Sequence, residues 1–245
     1  MSFHQESEMS NASNDPAVLS VATCVLDMIS DGMCVGLGSG RASAAFIAKL
    51  GERVQAGLKI TGVPTSNASD KQARELGIPL VPLTEDLELD LTVDGADEVA
   101  PNLDLVKGWG GALVRERIVA AASKRQIILV GEEKLVRTLG ERGRIPVEVI
   151  PLAHGYVVRK LKALGLTPTT RPVVGGTEPF LTDNGNLTLD CSVAEPLRDG
   201  AAARALESAV LAIAGVVDTG LFLGTAERVL IGYADGRVDV RESRK

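Results

Sequence analysis

Apolar runs broken by glycine turns alternate with helical spacings through the first half of the chain. Apolar positions over 18–29 recur at helical intervals, and a short buried run at 33–37 follows. The turn Gly38-Ser39-Gly40 then leads into a helical pattern over 42–50. Strands are predicted at 58–63, 78–83, 89–93 and 126–130, with helices at 69–76, closed by Gly77, and at 111–123. Strand and helix taking turns in this way predicts a doubly wound, mainly parallel sheet, an α/β fold of Rossmann-like type.

Past residue 140 the rhythm changes. Strands at 146–150, 169–174, 187–193 and 216–222 enclose helices at 155–164 and 199–213, with the turn Asp183-Asn184-Gly185-Asn186 before the third strand. The order β-α-β-β-α-β predicts a smaller, inserted ferredoxin-like α+β domain over 140–222. Residues 15–139 and 223–245 form the Rossmann-like catalytic domain of this reading, and 1–14 a polar, disordered tail. The strand-turn-strand pattern over 227–240 returns to the first sheet.

Composition narrows the function. Aromatics make up 3% of the 245 residues, and the formal charge of −6 argues against nucleic acid and anionic membranes as partners. Cys24, Cys34 and Cys191 are odd in number and widely spaced, which fits a reduced, cytoplasmic protein rather than a disulfide scaffold. No run approaches the roughly 18 apolar residues of a membrane helix, so a soluble protein is expected.

Candidate chemistry gathers between residues 36 and 134. Gly36-Leu37-Gly38-Ser39-Gly40-Arg41-Ala42, between a strand and a helix, has the form of a loop whose backbone amides and helix start hold phosphate. It lacks the third glycine of a dinucleotide fingerprint and the lysine of a Walker loop; by itself it is a weak motif, with a structural turn as the lesser alternative. Asp94-Gly95-Ala96-Asp97 follows a predicted strand, so both acids fall at its carboxyl end, where open α/β sheets bind ligands. Such a pair suits acid and base work or a Mg²⁺ ion, and an isolated turn of this kind also uses Asp for local hydrogen bonds. Lys107 runs into Gly108-Trp109-Gly110-Gly111 at a helix start, a combination of cation and approachable amides that stabilises an oxyanion. Glu116 lies on a helix that is apolar almost all round, so its carboxylate is expected to be buried and raised in pKa toward the range of a general base. A structural ion pair with Arg115 or Arg117 accounts for it equally. Lys134 follows the 126–130 strand on the same predicted sheet edge. Neither His4 nor His154 has a catalytic partner nearby in sequence.

The blocks Gly36 to Gly40, Thr65-Ser66, Asp94 to Glu98, Lys107 to Glu116, Pro146 to Val149 and Thr182 to Gly185, in this order and spacing, resemble ribose-5-phosphate isomerase, type A. The resemblance implies cofactor-free interconversion of D-ribose 5-phosphate and D-ribulose 5-phosphate in the pentose phosphate pathway, by a homodimer or dimer of dimers. It carries the role of base onto Glu116 and the other catalytic positions onto Asp94, Asp97 and Lys107. Ser39, Gly40, Arg41, Ala42, Thr65, Ser66, Gly95, Ala96, Gly108, Trp109, Gly110, Gly111 and Lys134 are then expected to bind substrate, with no metal.

One block departs from the family. Its usual loop is GTGST, whereas Gly38-Ser39-Gly40-Arg41-Ala42 stands here, and Val18 falls near a lysine often found in the first helix. A guanidinium matches phosphate geometry, so Arg41 is expected to replace the missing contacts. Two other classes compete: a non-catalytic sugar-phosphate sensor, which has no use for all four catalytic positions together, and a related sugar-phosphate enzyme such as an amino-sugar phosphate deaminase, which lacks a histidine partner here.

Overall fold

A computed structural model describes residues 15–243; the predicted tail and His4 lie outside them. In chain order the elements begin with helix α1 (Pro16–Cys24), strand β1 (Cys34–Leu37), α2 (Arg41–Gln55), β2 (Thr61–Pro64), α3 (Asn67–Glu75) and β3 (Leu91–Gly95). Two short strands, β4 (Glu98–Val99) and β5 (Leu105–Val106), precede α4 (Leu113–Ala121) and β6 (Gln126–Gly131). Next come β7 (Ile145–Val149), α5 (His154–Ala163), β8 (Thr167–Thr170), β9 (Leu187–Ser192), α6 (Gly200–Leu211) and β10 (Val216–Thr219). The chain ends with β11 (Leu221–Phe222), β12 (Arg228–Gly232) and β13 (Val238–Glu242).

The described residues form two compact units. The first comprises 15–95, Arg115–Lys134 and 225–243; the second comprises Ala96–Val114 and Leu135–Gly224. The first is built on a six-stranded sheet of order β13-β12-β6-β3-β1-β2, parallel except for the terminal β12–β13 pair. β1 pairs with β2 on one side and β3 on the other, so strand order reverses between β1 and β3. That is the switch point at which the carboxyl ends of two strands diverge and leave a crevice.

Alternation along β1 explains the layers. Val35 and Leu37 face a core with Val21 and Val25 from the α1 region and Phe46, Ile47 and Leu50 of α2, all nearly solvent-free. Cys34 turns to the opposite layer with Val119 of α4. Gly36 faces that layer too, and an added Cβ would lie 2.7 Å from Val119 Cγ1, so a close helix approach requires glycine there.

The second unit contains a four-stranded antiparallel sheet of order β10-β7-β9-β8, the ferredoxin-like arrangement. Val147, Val149, Leu189 and Cys191 pack on Val157 and Leu161 of α5 and Val210 of α6. The alternate positions are polar: Glu148 lies opposite Thr188 and Asp218 across the strands. A three-stranded sheet, β11-β5-β4, completes this unit.

Local expectations shift in three places. The 78–83 strand reduces to a single parallel bridge between Leu80 and Gly62, because Pro79 and Pro82 cannot donate to a ladder. The helix over 18–29 ends as α-helix at Cys24 and continues as a 3₁₀ turn, Val25–Met28. The single strand over 216–222 divides at Gly220 into β10 and β11, which belong to different sheets. An added Cβ at Gly220 would lie 2.3 Å from the Lys107 carbonyl oxygen, so the crossover passes too close for any side chain.

Candidate active site

The loop after β1 and the end of β3 meet at the switch point of the first unit. Gly38 donates its amide to Val93 O at 3.0 Å, and Asp94 is buried at 1% exposure. One oxygen of that carboxylate, Oδ1, accepts from Ser39 N at 3.0 Å, Ser43 Oγ at 3.2 Å and Gly95 N at 2.8 Å. Asp94 therefore fastens the loop to the strand end. Gly38 is required for the approach, because a Cβ there would lie 2.3 Å from Asp94 Oδ1 and 2.6 Å from its Cα.

Hydroxyls hold the far side of the loop. Ser39 Oγ lies 2.8 Å from Thr65 Oγ1 and donates to Ser66 Oγ at 2.7 Å. Thr65 Oγ1 donates in turn to Leu37 O at 3.1 Å, and Ser66 caps α3 in a reciprocal box with Ser69. Gly40 then turns the chain with φ of +89° into α2, supplying no side-chain cap for the first-turn amides near Arg41 and Ala42. Arg41 Nη2 donates to Asp15 Oδ2 at 2.9 Å, an exposed pair.

Two further expected residues belong to this unit. Glu116 occupies the first turn of α4 at 6% exposure, a position where the helix dipole favours a carboxylate. Its neighbour Arg115 donates to Asn67 Oδ1 at 3.0 Å. Lys134 ends a 3₁₀ turn directly after β6 and is half-buried.

The remaining motif residues lie in the second unit. Asp97, after Ala96, bonds its amide to Val106 O at 2.8 Å, and its Oδ2 accepts from Trp109 N at 2.9 Å. Lys107 is 2% exposed, with its ammonium 5.5 Å from the centre of the Phe222 ring. Gly108 to Gly111 forms a turn closed by Gly111 N donating to Gly108 O at 3.0 Å. The positive φ at both ends, +98° and +85°, restricts them to glycine. The guanidinium groups of Arg142 and Arg144 stand over the Trp109 ring, 5.3 and 4.4 Å from its centre, and Trp109 donates Nε1–H to Arg144 O at 3.2 Å.

Several supporting residues escaped the sequence reading. Ser43 resembled any small helical residue until its hydroxyl met Asp94. Glu98 is wholly buried and accepts from Gly140 N and Arg142 N at 2.6 and 2.7 Å, holding the segment that flanks Trp109. Burial raises its carboxyl above the usual range while the two amides pull it back. Arg171 fell within a predicted strand; the only signal was an arginine in an otherwise uncharged stretch.

Comparison with known proteins places the chain in a family. Residues 61–236 match the family described as Ribose 5-phosphate isomerase A (phosphoriboisomerase A). The chain is 40% identical over 227 residues to ribose-5-phosphate isomerase A of Bartonella bacilliformis, covering 91% of this chain and 95% of that one. It is 46% identical over 209 residues to ribose-5-phosphate isomerase A 1 of Oceanobacillus iheyensis, covering 85% and 90%. Among solved structures, ribose 5-phosphate isomerase A from Methanocaldococcus jannaschii superposes with a TM-score of 0.86 at 38% identity, covering 94% and 99%. A D-ribose-5-phosphate isomerase in complex with phospho-erythronic acid gives 0.86 at 35% identity, covering 93% and 97%. The chain belongs to the ribose 5-phosphate isomerase A family.

Proposed function

We propose that this chain interconverts D-ribose 5-phosphate and D-ribulose 5-phosphate through an enediolate, with Glu116 as the general base and no cofactor. Glu116 takes the proton from C2 of the open-chain aldose while the carbonyl electrons move onto O1. Return of that proton to C1, with the O2 proton passed to O1 as C2=O forms, completes the ketose. Lys107 and the amides of Gly108 to Gly111 stabilise the O1/O2 charge. Asp94 and Asp97 serve ring opening and hydroxyl protons. The carrying observation is that Lys107 and Glu116, the two ends of one motif block, are 2% and 6% exposed, a degree of burial that charged side chains reach only when paired or used.

Phosphate binding is assigned to Ser39, Gly40, Arg41 and Ala42 with Lys134, supported by the uncapped first turn of α2. Thr65 and Ser66 reach substrate hydroxyls through the same bonded cluster. Phospho-erythronic acid, seen with a 35% identical relative, is expected to compete with substrate here. We further assign a cytoplasmic homodimer or dimer of dimers within the pentose phosphate pathway. Free Cys24, Cys34 and Cys191 and the exposed apolar Ile150 and Leu152 support this assignment, and no described helix is long and apolar enough to cross a membrane. The test is turnover of D-ribose 5-phosphate by purified protein with and without EDTA. Ketose formation in both supports the reading; no turnover overturns it, and loss with EDTA overturns the cofactor-free part.

A further inference from the structure

Arg171 stands just after β8, where its backbone continues the ladder by donating to Thr188 O at 2.9 Å. Its side chain is 10% exposed. One edge of the guanidinium pairs with Asp190 of β9 in fork geometry, Nε to Oδ2 at 3.0 Å and Nη2 to Oδ1 at 2.5 Å. A purely structural ion pair would be complete at that point. The remaining nitrogen, Nη1, donates instead to two successive carbonyls, Gly108 O and Trp109 O, each at 3.0 Å.

A peptide group is planar and trans, so fixing its carbonyl fixes the following N–H in the opposite direction. With Gly108 O held by Arg171, the Trp109 N–H points the other way, and there it meets Asp97 Oδ2. With Trp109 O held, the Gly110 N–H is likewise turned away from Arg171, on an exposed residue. Phe180 adds a floor: a Cβ on Gly111 would lie 2.5 Å from its ring, so the backbone rests directly on it. Phe180 is itself tied to Arg171 by a backbone bond of 2.8 Å. Gly108 O also accepts from Gly111 N at 3.0 Å, so the guanidinium reinforces the turn bond at the first plane and adds its own hold on Trp109 O at the second.

We infer that Arg171, anchored by Asp190, is a positioning residue for the isomerisation: it sets the two peptide planes that direct the Trp109 amide to Asp97 and the Gly110 amide to the developing oxyanion. The inference rests on the proposed roles of Asp97 and the Gly108–Gly111 amides. Because those amides act on charge that exists only after C2 deprotonation, Arg171 governs kcat and leaves KM nearly unchanged.

The test compares wild type with Arg171→Lys and Arg171→Ala for kcat, KM and thermal unfolding. Lysine can still pair with Asp190 but has no planar fork with which to span two carbonyls as well. In folded Arg171→Lys, kcat is expected to fall about a hundredfold, the loss typical of a misplaced reacting group, with KM within a few-fold of wild type. Millimolar guanidinium should restore part of the kcat of Arg171→Ala and leave wild type unaffected. A folded Arg171→Lys with wild-type kcat, or a loss that only tracks the unfolded fraction, overturns the inference; should Arg171→Ala fail to fold, the lysine variant carries the test. Wild type without turnover overturns the isomerase reading itself, a different outcome from active wild type with indifferent Arg171 variants.

Discussion

Gly38→Ala isolates the junction between the loop after β1 and Asp94. The new methyl would lie 2.3 Å from Asp94 Oδ1, 2.5 Å from its Cγ and 2.6 Å from its Cα. A side chain can rotate away, but the Cα belongs to β3, a strand paired on both edges. The loop must therefore move, weakening the bonds of 3.0 and 3.2 Å that Ser39 and Ser43 make to Asp94. Overpacking of this kind costs about 1–3 kcal/mol, and a weakened charge-assisted bond adds about 1.5 kcal/mol. A total near 3 kcal/mol corresponds to a Tm about 6–12 °C lower in a chain of this size. Gly40→Ala is the control: nothing lies within 4 Å of the new methyl, and a φ of +89° with ψ of −176° is an essentially glycine-only conformation, so backbone strain of about 1–3 kcal/mol without overpacking is expected. Scanning calorimetry and kcat/KM on both variants decide the matter. A wild-type Tm for Gly38→Ala would refute the packing argument.

Arg41→Ala is expected to raise KM for the phosphorylated sugar while costing under about 1 kcal/mol of stability, because its pair with Asp15 is exposed; an unchanged KM removes Arg41 from phosphate binding. Asp90 accepts the Cys34 amide at 2.9 Å, and that bond, aided by Lys124, holds its carboxyl below the usual range. A folded-state pKa lowered in this way stabilises the fold above the unfolded value and ceases to do so as pH falls through the folded one. Asp90→Asn should therefore lower Tm at pH 7, with the difference closing below about pH 3.8; a pH-independent difference contradicts the linkage.

Much of this organisation was legible because it is local. Apolar runs followed by glycine turns marked β1 and the loop after it, and the Asp94 strand end needed only its preceding hydrophobic residues to be recognised. Glu116 was expected to be buried from the apolar composition of α4, and it is. What stayed hidden depends on partners distant in sequence. Ser43 meets Asp94 across 51 positions and Arg171 meets Gly108 across 63, and neither side chain carries a local pattern announcing its partner. The three-stranded β11-β5-β4 sheet was missed for a related reason: two-residue strands have no periodicity to detect. The division at Gly220 likewise became visible only once the Lys107 carbonyl was found against it.

The central claim, that Glu116 moves the C2 proton, is tested most directly with D-ribose 5-phosphate deuterated at C2. Wild-type enzyme should convert it more slowly than the protiated sugar and release deuterium to water. Glu116→Gln, with a wild-type Tm, should bind the sugar and release no deuterium. Deuterium release by Glu116→Gln at the wild-type rate would contradict the account.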